Sequence, residues 1–166
     1  EIDKVRAANV GIAADARAAT RALIQAVSAR DAGEWEQCLM DFKAEHPIGY
    51  TDEDELMAPQ LVVEKLHEVT GGEAIITTEV GQNQMWAAQY YQFDRPNCLI
   101  TSGGLGCMGF GFPAAIGAQV ACPDRLVVDI AGDGSIQMNI QEMATAMQHR
   151  LPVKILVLNN GYLGMV

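Results

Sequence analysis

Residues 125–160 constrain the fold more than any other stretch, because they predict a strand, a helix and a second strand in direct succession. The run 126–131 is nearly all apolar and half β-branched, which is typical of a strand that is buried on both faces. Gly-Asp-Gly at 132–134 ends it, a run with helical spacing follows, and 153–158 is another buried-strand run. Such units are right-handed crossovers between parallel strands. The sequence therefore predicts an α/β fold of three layers, a mostly parallel sheet with helices on both faces.

This topology brings two potential metal ligands together. Asp133 and Asn160 each follow the carboxyl end of a predicted strand, and neighbouring parallel strands present these ends at one edge of the sheet. One carboxylate and one amide oxygen suit Mg²⁺ that also binds phosphate oxygens and water. Gly132 and Gly134 would let a phosphate approach the backbone, and a helix starting near Ser135 would direct free N–H groups at it. The pattern indicates a magnesium site with a phosphorylated cofactor.

Asp133 also has a simpler interpretation. An Asp-Gly turn before a helix usually serves only to cap that helix, and for the turn alone we favour capping. The pair Asn159-Asn160 at the end of the next strand, followed by Gly161, reverses this preference.

A third strand is predicted to reach the same edge. The run 74–78 is strand-like, and if it is parallel to the others its end delivers residues 79–83 beside Asp133. Gln82 and Asn83 could hydrogen-bond a diphosphate from there. The alternative is that they cap a helix over 85–91.

The segment 104–109, Gly-Leu-Gly-Cys-Met-Gly, fits the GxGxxG pattern of dinucleotide-binding loops. It follows a predicted strand at 98–101 and precedes a predicted helix at 113–120. The pattern also needs an acidic residue about 20 positions later, at the end of the next strand. Asp124 has the spacing but precedes its strand, and Asp133 ends the strand but comes later. A non-catalytic, Rossmann-like dinucleotide-binding module therefore remains an alternative of a different class.

These residues together resemble a known family. Gly-Asp-Gly-Ser at 132–135, followed by Asn159-Asn160, is similar to the motif of thiamine-diphosphate enzymes. The segments TSGGLGCMGFGFPAAIGAQVA at 101–121 and VGQNQMWAAQYY at 80–91 resemble the large, catalytic subunit of acetohydroxyacid synthase, also called acetolactate synthase. The resemblance is strong over about 57–166. It implies the thiamine-diphosphate-binding fold, incomplete at its C-terminus.

The resemblance also implies roles for individual residues. Asp133 and Asn160 would bind Mg²⁺ through their side chains, and Tyr162 through its carbonyl oxygen. Gly106 and Met108 would activate the cofactor, the first by accepting its 4'-amino group and the second by supporting its bent shape. The full set of implied cofactor-binding residues is Val80, Gly81, Gln82, Asn83, Gly106, Met108, Gly132, Asp133, Gly134, Ser135, Asn160, Tyr162, Leu163, Gly164 and Met165. Family members usually have His at the position of Asn83, and Asn can donate there only as a neutral group.

The implied reaction is a transfer of acetaldehyde groups. Two pyruvates, or pyruvate and 2-ketobutyrate, would condense with loss of CO₂, the first common step of branched-chain amino acid biosynthesis. The whole enzyme would also bind FAD and form a homodimer or larger assembly through its cofactor domains, with a small regulatory subunit as a further partner. The glutamate that activates the cofactor would lie outside this chain, so the isolated piece is expected to be inactive. A sister 2-keto acid decarboxylase or oxidase is the alternative enzyme.

The domain organisation follows the same resemblance. Residues 1–30, with a helix predicted over 14–29, would be the tail of the middle domain. Residues 31–58 would connect the domains, with the acidic run 52–55 as a solvated turn, and 59–166 would form the truncated cofactor domain.

Composition excludes several other functions. The net charge is −10, and the 11 basic residues form no cluster, so nucleic acids and anionic membranes are not expected partners. The four cysteines have no metal-binding spacing. No apolar stretch approaches the roughly 18 residues of a membrane span, and a cytoplasmic location is expected.

Overall fold

The computed structural model describes residues 2–51 and 56–166, so the turn predicted at 52–55 lies outside the described residues. The chain divides into two compact units, 1–48 and 49–166. The division falls within the predicted connection 31–58, and the three-part assignment of the sequence stays a prediction.

The first unit consists of α1 (Ala16–Ala26) and α2 (Gly33–Glu45). Asp15 accepts a hydrogen bond from the Ala18 N–H and so caps α1. None of residues 2–48 is buried, so this unit has no hydrophobic core of its own.

The second unit contains a four-stranded sheet with the order β2-β1-β3-β4, in which every neighbouring pair is parallel. This confirms the predicted α/β class, the crossover between the last two strands and the parallel direction of the strand after residue 74. The strands are β1 (Ile75–Thr78), β2 (Leu99–Thr101), β3 (Val127–Gly132) and β4 (Lys154–Leu158).

Helices cover both faces of this sheet. Side chains alternate along β3, so Val128 and Ile130 pack in one cluster with residues of the helices Pro59–Thr70 and Gln82–Tyr90. Val127 and Ala131 belong to clusters on the opposite face, beside the helix Gly111–Ala121. The helices of this unit are α3 (Pro59–Thr70), α4 (Gln82–Tyr90), α5 (Gly111–Ala121), α6 (Asp133–Ile136) and α7 (Met143–Gln148).

The helix after the Gly-Asp-Gly turn differs from its prediction. One continuous helix was expected from near Ser135, but α6 begins at Asp133 and a 3₁₀ helix, Gln137–Glu142, separates it from α7. The break is at Asn139, whose φ of −132° and ψ of 32° are not helical. Its side chain there donates to the Gly109 carbonyl at 2.6 Å. A tertiary hydrogen bond thus accompanies the break, and sequence periodicity does not report such a bond.

The strand β4 is also less buried than predicted. Only Leu158 is buried, and Val157 is 44% exposed. Within the described residues, β4 pairs with β3 alone, so one of its edges is uncovered. The prediction of a strand buried on both faces is therefore correct for β3 and wrong for β4.

Gly111 occupies a position with no room for a side chain. A Cβ there would overlap Asp129 Oδ1 and lie 2.5 Å from the Glu79 backbone nitrogen and 2.6 Å from the Thr78 carbonyl carbon. We expect Gly111→Ala to destabilise the second unit by about 3 kcal/mol, because backbone atoms of β1 cannot move aside without distorting the sheet. Denaturant unfolding of the whole protein, followed by circular dichroism, would measure the loss.

Gly117→Ala is the matched control, since it lies in the same helix and a Cβ there would meet no atom within 4 Å. It should stabilise by about 0.5–1 kcal/mol through its better helix propensity. Equal effects of the two substitutions would contradict the packing at Gly111.

Candidate functional site

A pocket lies at the carboxyl edge of the sheet, where β1, β3 and β4 end. All fifteen residues that the sequence indicated as cofactor-binding line it, because the parallel register brings the four segments that carry them to one edge. Trp86, Leu158 and Val166 line it as well and were not anticipated. The complete lining is Val80, Gly81, Gln82, Asn83, Trp86, Gly106, Met108, Gly132, Asp133, Gly134, Ser135, Leu158, Asn160, Tyr162, Leu163, Gly164, Met165 and Val166.

Asp133 is the first residue of α6, and Gly132 before it has extended geometry. No side chain caps this helix, so the interpretation of Asp133 as a cap is not supported. Its backbone carbonyl accepts from Gln137, whereas its carboxylate makes no hydrogen bond or ion pair within the described residues. The carboxylate is therefore available to an external ligand.

Asn160 is oriented by two hydrogen bonds. Its Oδ1 accepts from the Tyr162 backbone N–H at 3.0 Å, and its Nδ2 donates to Gln82 Oε1 at 2.8 Å. The amide oxygen of Asn160 keeps a second lone pair for a metal ion. Since Gln82 accepts through its oxygen, its Nε2 group can donate to an anion in the pocket. This bond joins the segments that follow β1 and β4.

Asn83 lines the pocket, but its N–H groups point into the protein. Nδ2 donates to the Ile130 carbonyl at 2.8 Å and to the Glu79 carbonyl at 3.2 Å. The side chain is only 2% exposed. Both donors are thus used to join the ends of β1 and β3, which leaves the acceptor Oδ1 beside Gly132. In this arrangement Asn83 supports the pocket and offers no free N–H to a diphosphate.

The glycine-rich loop 102–110 brings Gly106 and Met108 into the pocket. Gly106 has a φ of +65°, a left-handed conformation that favours glycine, and its N–H donates to the Ser102 carbonyl at 3.1 Å. Ser102 Oγ also accepts the Cys107 N–H. Met108 is half-buried, and its flexible side chain suits an apolar support for a ring.

A buried acidic pair, Glu79 and Asp129, lies under this loop, and neither residue is exposed. Glu79 accepts the N–H groups of Gly109 at 2.7 Å and of Phe112 at 3.0 Å. Burial raises the pKa of Glu79, and these backbone N–H groups oppose the rise. Burial also raises the pKa of Asp129 to about 7, against the hydrogen bond from Thr77 and with a smaller contribution from the charge of Glu79.

The sequence gives only a weak signal for this pair. Asp129 is the one charged residue in the apolar run 126–131, and a carboxyl group in a buried strand needs a partner or a proton. Thr77 supplies one hydrogen bond at 2.9 Å, and Asp129 Oδ2 has no partner within the described residues. The backbone partners of Glu79, Gly109 and Phe112, lie 30 and 33 positions away in the sequence, and no local pattern indicates them.

The oxygen ligands in the pocket fit a magnesium ion whose coordination is completed by phosphate oxygens. No group of three or more His, Cys, Asp or Glu side chains in residues 2–51 and 56–166 could hold a metal. One free carboxylate, one amide oxygen and a backbone carbonyl suit a hard cation that keeps several outside oxygen ligands. The residues present therefore match a cation that binds together with a diphosphate.

This pocket lies in the part of the chain that matches a known family. Residues 79–166 match the family described as thiamine pyrophosphate enzyme, C-terminal TPP binding domain. The match covers more than half of the chain, and the chain belongs to this family. Of the two classes of ligand that the sequence left open, thiamine diphosphate is the one that this family's description supports.

Individual relatives are similar over the whole chain. Acetolactate synthase 1, chloroplastic, from Nicotiana tabacum is 48% identical over 100% of this chain and 26% of its own length. The rice protein of the same name, from Oryza sativa subsp. japonica, is 50% identical over 100% of this chain and 27% of its own length. Acetolactate synthase isozyme 3 large subunit from Escherichia coli (strain K12) is 45% identical over 99% of this chain and 30% of its own length. The chain thus spans less than a third of the length of these relatives.

The acidic pair predicts an unusual pH dependence of stability. Because the pKa of Asp129 rises from 3.8 to about 7 on folding, the folded protein holds a proton that the unfolded chain releases. The free energy of unfolding should therefore fall as the pH rises from about 4 to about 7. Asp129→Asn stays neutral, and we expect it to be more stable than the unmodified protein by about 2–4 kcal/mol at pH 8.

Denaturant unfolding at pH 4 and pH 8 would test this expectation, and the two proteins should converge at pH 4. Asp124→Asn, at an exposed position, controls for the loss of one charge. Its free energy of unfolding should differ from that of the unmodified protein by the same small amount at both pH values. A difference between Asp129→Asn and the unmodified protein that is the same at both pH values would show that Asp129 does not titrate in this range.

Proposed function

We propose that this chain is part of the large subunit of a Mg²⁺- and thiamine-diphosphate-dependent acetolactate synthase, which condenses two pyruvates, or pyruvate and 2-ketobutyrate, with loss of CO₂. One observation carries the proposal: Asp133, Asn160 and Gln82 meet in one pocket of a domain from the thiamine pyrophosphate enzyme family. Identities of 45–50% with proteins named acetolactate synthase support this branch of the family.

The residues of this chain would mainly bind and position. The cofactor, when bound, supplies the electron sink for decarboxylation. Asp133, Asn160 and the Tyr162 carbonyl would hold Mg²⁺, while the Gln82 Nε2 group and backbone N–H groups near Gly134 would hold the diphosphate. With a net charge of −10 on the chain, the metal is needed to offset the repulsion of an anionic cofactor.

The Gly106 carbonyl and the Met108 side chain would set the shape of the bound cofactor. Both line the pocket on the side of the glycine-rich loop. A carbonyl oxygen can accept a hydrogen bond from an exocyclic amino group, and an apolar side chain can support a ring from below. Exact placement of the reacting groups is worth several orders of magnitude in rate, so this loop would contribute to the reaction without providing an acid or a base.

The remaining components of the enzyme form part of the same proposal. FAD would bind mainly to a middle domain, of which 1–30 is the tail, and a homodimer or larger assembly would form through the cofactor domains. A small regulatory subunit would be a further partner, and the name of the E. coli relative, a large subunit, fits this view. The activating glutamate would come from another domain, so the 166-residue chain alone would be inactive.

The cellular location is proposed to be the cytoplasm, although the plant relatives carry the word chloroplastic in their names. Among the described residues, no helix combines the length and the hydropathy that a membrane span requires.

The product of the full-length protein distinguishes acetolactate synthase from a sister enzyme. We expect acetolactate from pyruvate in the presence of Mg²⁺, thiamine diphosphate and FAD, followed by NMR. Acetaldehyde would instead indicate a simple decarboxylase and acetate an oxidase, and either product would overturn the synthase proposal while keeping the cofactor site. The same incubation without thiamine diphosphate is the control.

Asp133→Asn tests the metal site. The amide keeps the size of the side chain but removes the only carboxylate among the proposed ligands, so we expect the affinity for thiamine diphosphate with Mg²⁺ to fall at least about 100-fold. Isothermal titration of the full-length protein would measure it, with the exposed Asp124→Asn as the control. Unchanged affinity in Asp133→Asn would show that the metal does not bind through this residue.

A further inference from the structure

The backbone of Gly109 is held from both sides by polar side chains. Its N–H donates to Glu79 Oε2 at 2.7 Å, and its carbonyl accepts from Asn139 Nδ2 at 2.6 Å. Gly109 is buried, whereas 103–107 in the same loop are exposed. The exposed part of the loop is thus connected to the protein interior through a residue whose N–H and carbonyl are both bonded.

The two holding residues come from different parts of the fold. Glu79 follows β1 directly, and its own N–H bonds the Ile130 carbonyl of β3 at 3.1 Å. Asn139 lies where the segment after the Gly-Asp-Gly turn leaves helical geometry, with φ −132° and ψ 32°. A departure from helical geometry that places a side chain on a loop next to a ligand pocket points to a positioning function.

Gly109 is the residue that this arrangement requires. Its φ is +81°, and a Cβ there would lie 2.8 Å from Asn139 Nδ2 and 3.0 Å from Met138 Cβ. The close approach of Asn139 and the left-handed backbone both exclude a larger residue.

Glu79 accepts backbone hydrogen bonds from two positions. Its second oxygen accepts the Phe112 N–H at 3.0 Å, in the first turn of α5. A glutamine would present only one acceptor to these two N–H groups. Glu79 forms no ion pair within the described residues, so the backbone N–H groups are what compensate its buried charge.

We propose that Glu79 and Asn139 are positioning residues that clamp the Gly109 backbone between them, through its N–H and its carbonyl, and so fix Met108 and Gly106 at the thiamine-diphosphate pocket. Met108 precedes Gly109 directly, so a shift of the Gly109 backbone moves the side chain that would support the cofactor. The contact of the loop with the cofactor rests on the proposed function. The two hydrogen bonds that hold Gly109 do not depend on it.

The clamp can be tested in the full-length protein without cofactor. Glu79→Gln removes one of two acceptors, and Asn139→Asp replaces the donor to the Gly109 carbonyl by an acceptor. Hydrogen–deuterium exchange followed by mass spectrometry should show that amides within 105–112 exchange at least about tenfold faster in both variants. Unchanged exchange in this segment would overturn the clamp, whatever reaction the enzyme catalyses.

The positioning function is tested with thiamine diphosphate and Mg²⁺ bound. We expect the exchange of the cofactor C2 proton, measured by acid quench and NMR, and kcat to fall about 10- to 100-fold, while the cofactor dissociation constant changes less than about threefold. Faster loop exchange with unchanged C2 exchange and kcat would overturn the positioning function. A merely structural effect would instead lower the melting temperature without changing C2 exchange per bound cofactor.

The controls match each substitution. Glu73→Gln is the control for Glu79→Gln, and it removes an exposed carboxylate that pairs with Arg95 at the surface. Asn97→Asp is the control for Asn139→Asp, and it makes the same replacement at an exposed turn. Both should behave as the unmodified enzyme in every measurement. If Glu79→Gln does not fold, Asn139→Asp, at a partly exposed position, tests the same clamp from the other side. Failure of the proposed function would appear separately, as absence of acetolactate from the unmodified enzyme.

Discussion

The parallel pairing of β3 with β1 on one side and β4 on the other is the constraint on which the pocket depends. Thr78 is in register with Ile130, and Gly132 with Leu158. Because of this register, three segments that are far apart in the sequence begin at the same edge of the sheet, with β1 ending only two residues before the level at which β3 and β4 end. Side chains of these segments are therefore close in space. Gln82 and Asn160, which are 78 positions apart in the sequence, form a direct hydrogen bond. Slippage of one strand would separate these groups.

The lining of the pocket could be predicted because it follows from strand ends and glycine positions. A buried strand, a turn and a helix are local features, and the parallel crossover then fixes which ends are neighbours. The resemblance to acetohydroxyacid synthase supplied the remaining positions, including Tyr162 to Met165 beyond β4. All of these residues line the pocket, although their individual contacts with cofactor and metal stay predictions.

The structural features that the sequence did not reveal share one cause. Glu79, Asp129 and the break at Asn139 depend on partners from distant elements: Gly109 and Phe112 for Glu79, Thr77 for Asp129, and Gly109 for Asn139. Periodicity reports which face of an element is apolar, but it carries no information on hydrogen bonds between a side chain and a group that is remote in the sequence. The burial of β4 was overestimated for a similar reason, since a strand's coverage is decided by its neighbours in the sheet.

The segment that follows β4 lies close to the turn and to Gln82 at two glycines. A side chain at Gly134 would overlap Leu163, and one at Gly164 would overlap Gln82. Residues 161–166 are all exposed, yet several of them line the pocket. The position of this segment and the occupancy of the pocket are therefore thermodynamically linked. A ligand that prefers one arrangement of the segment stabilises it, and anything else that fixes this arrangement must strengthen ligand binding by the same factor.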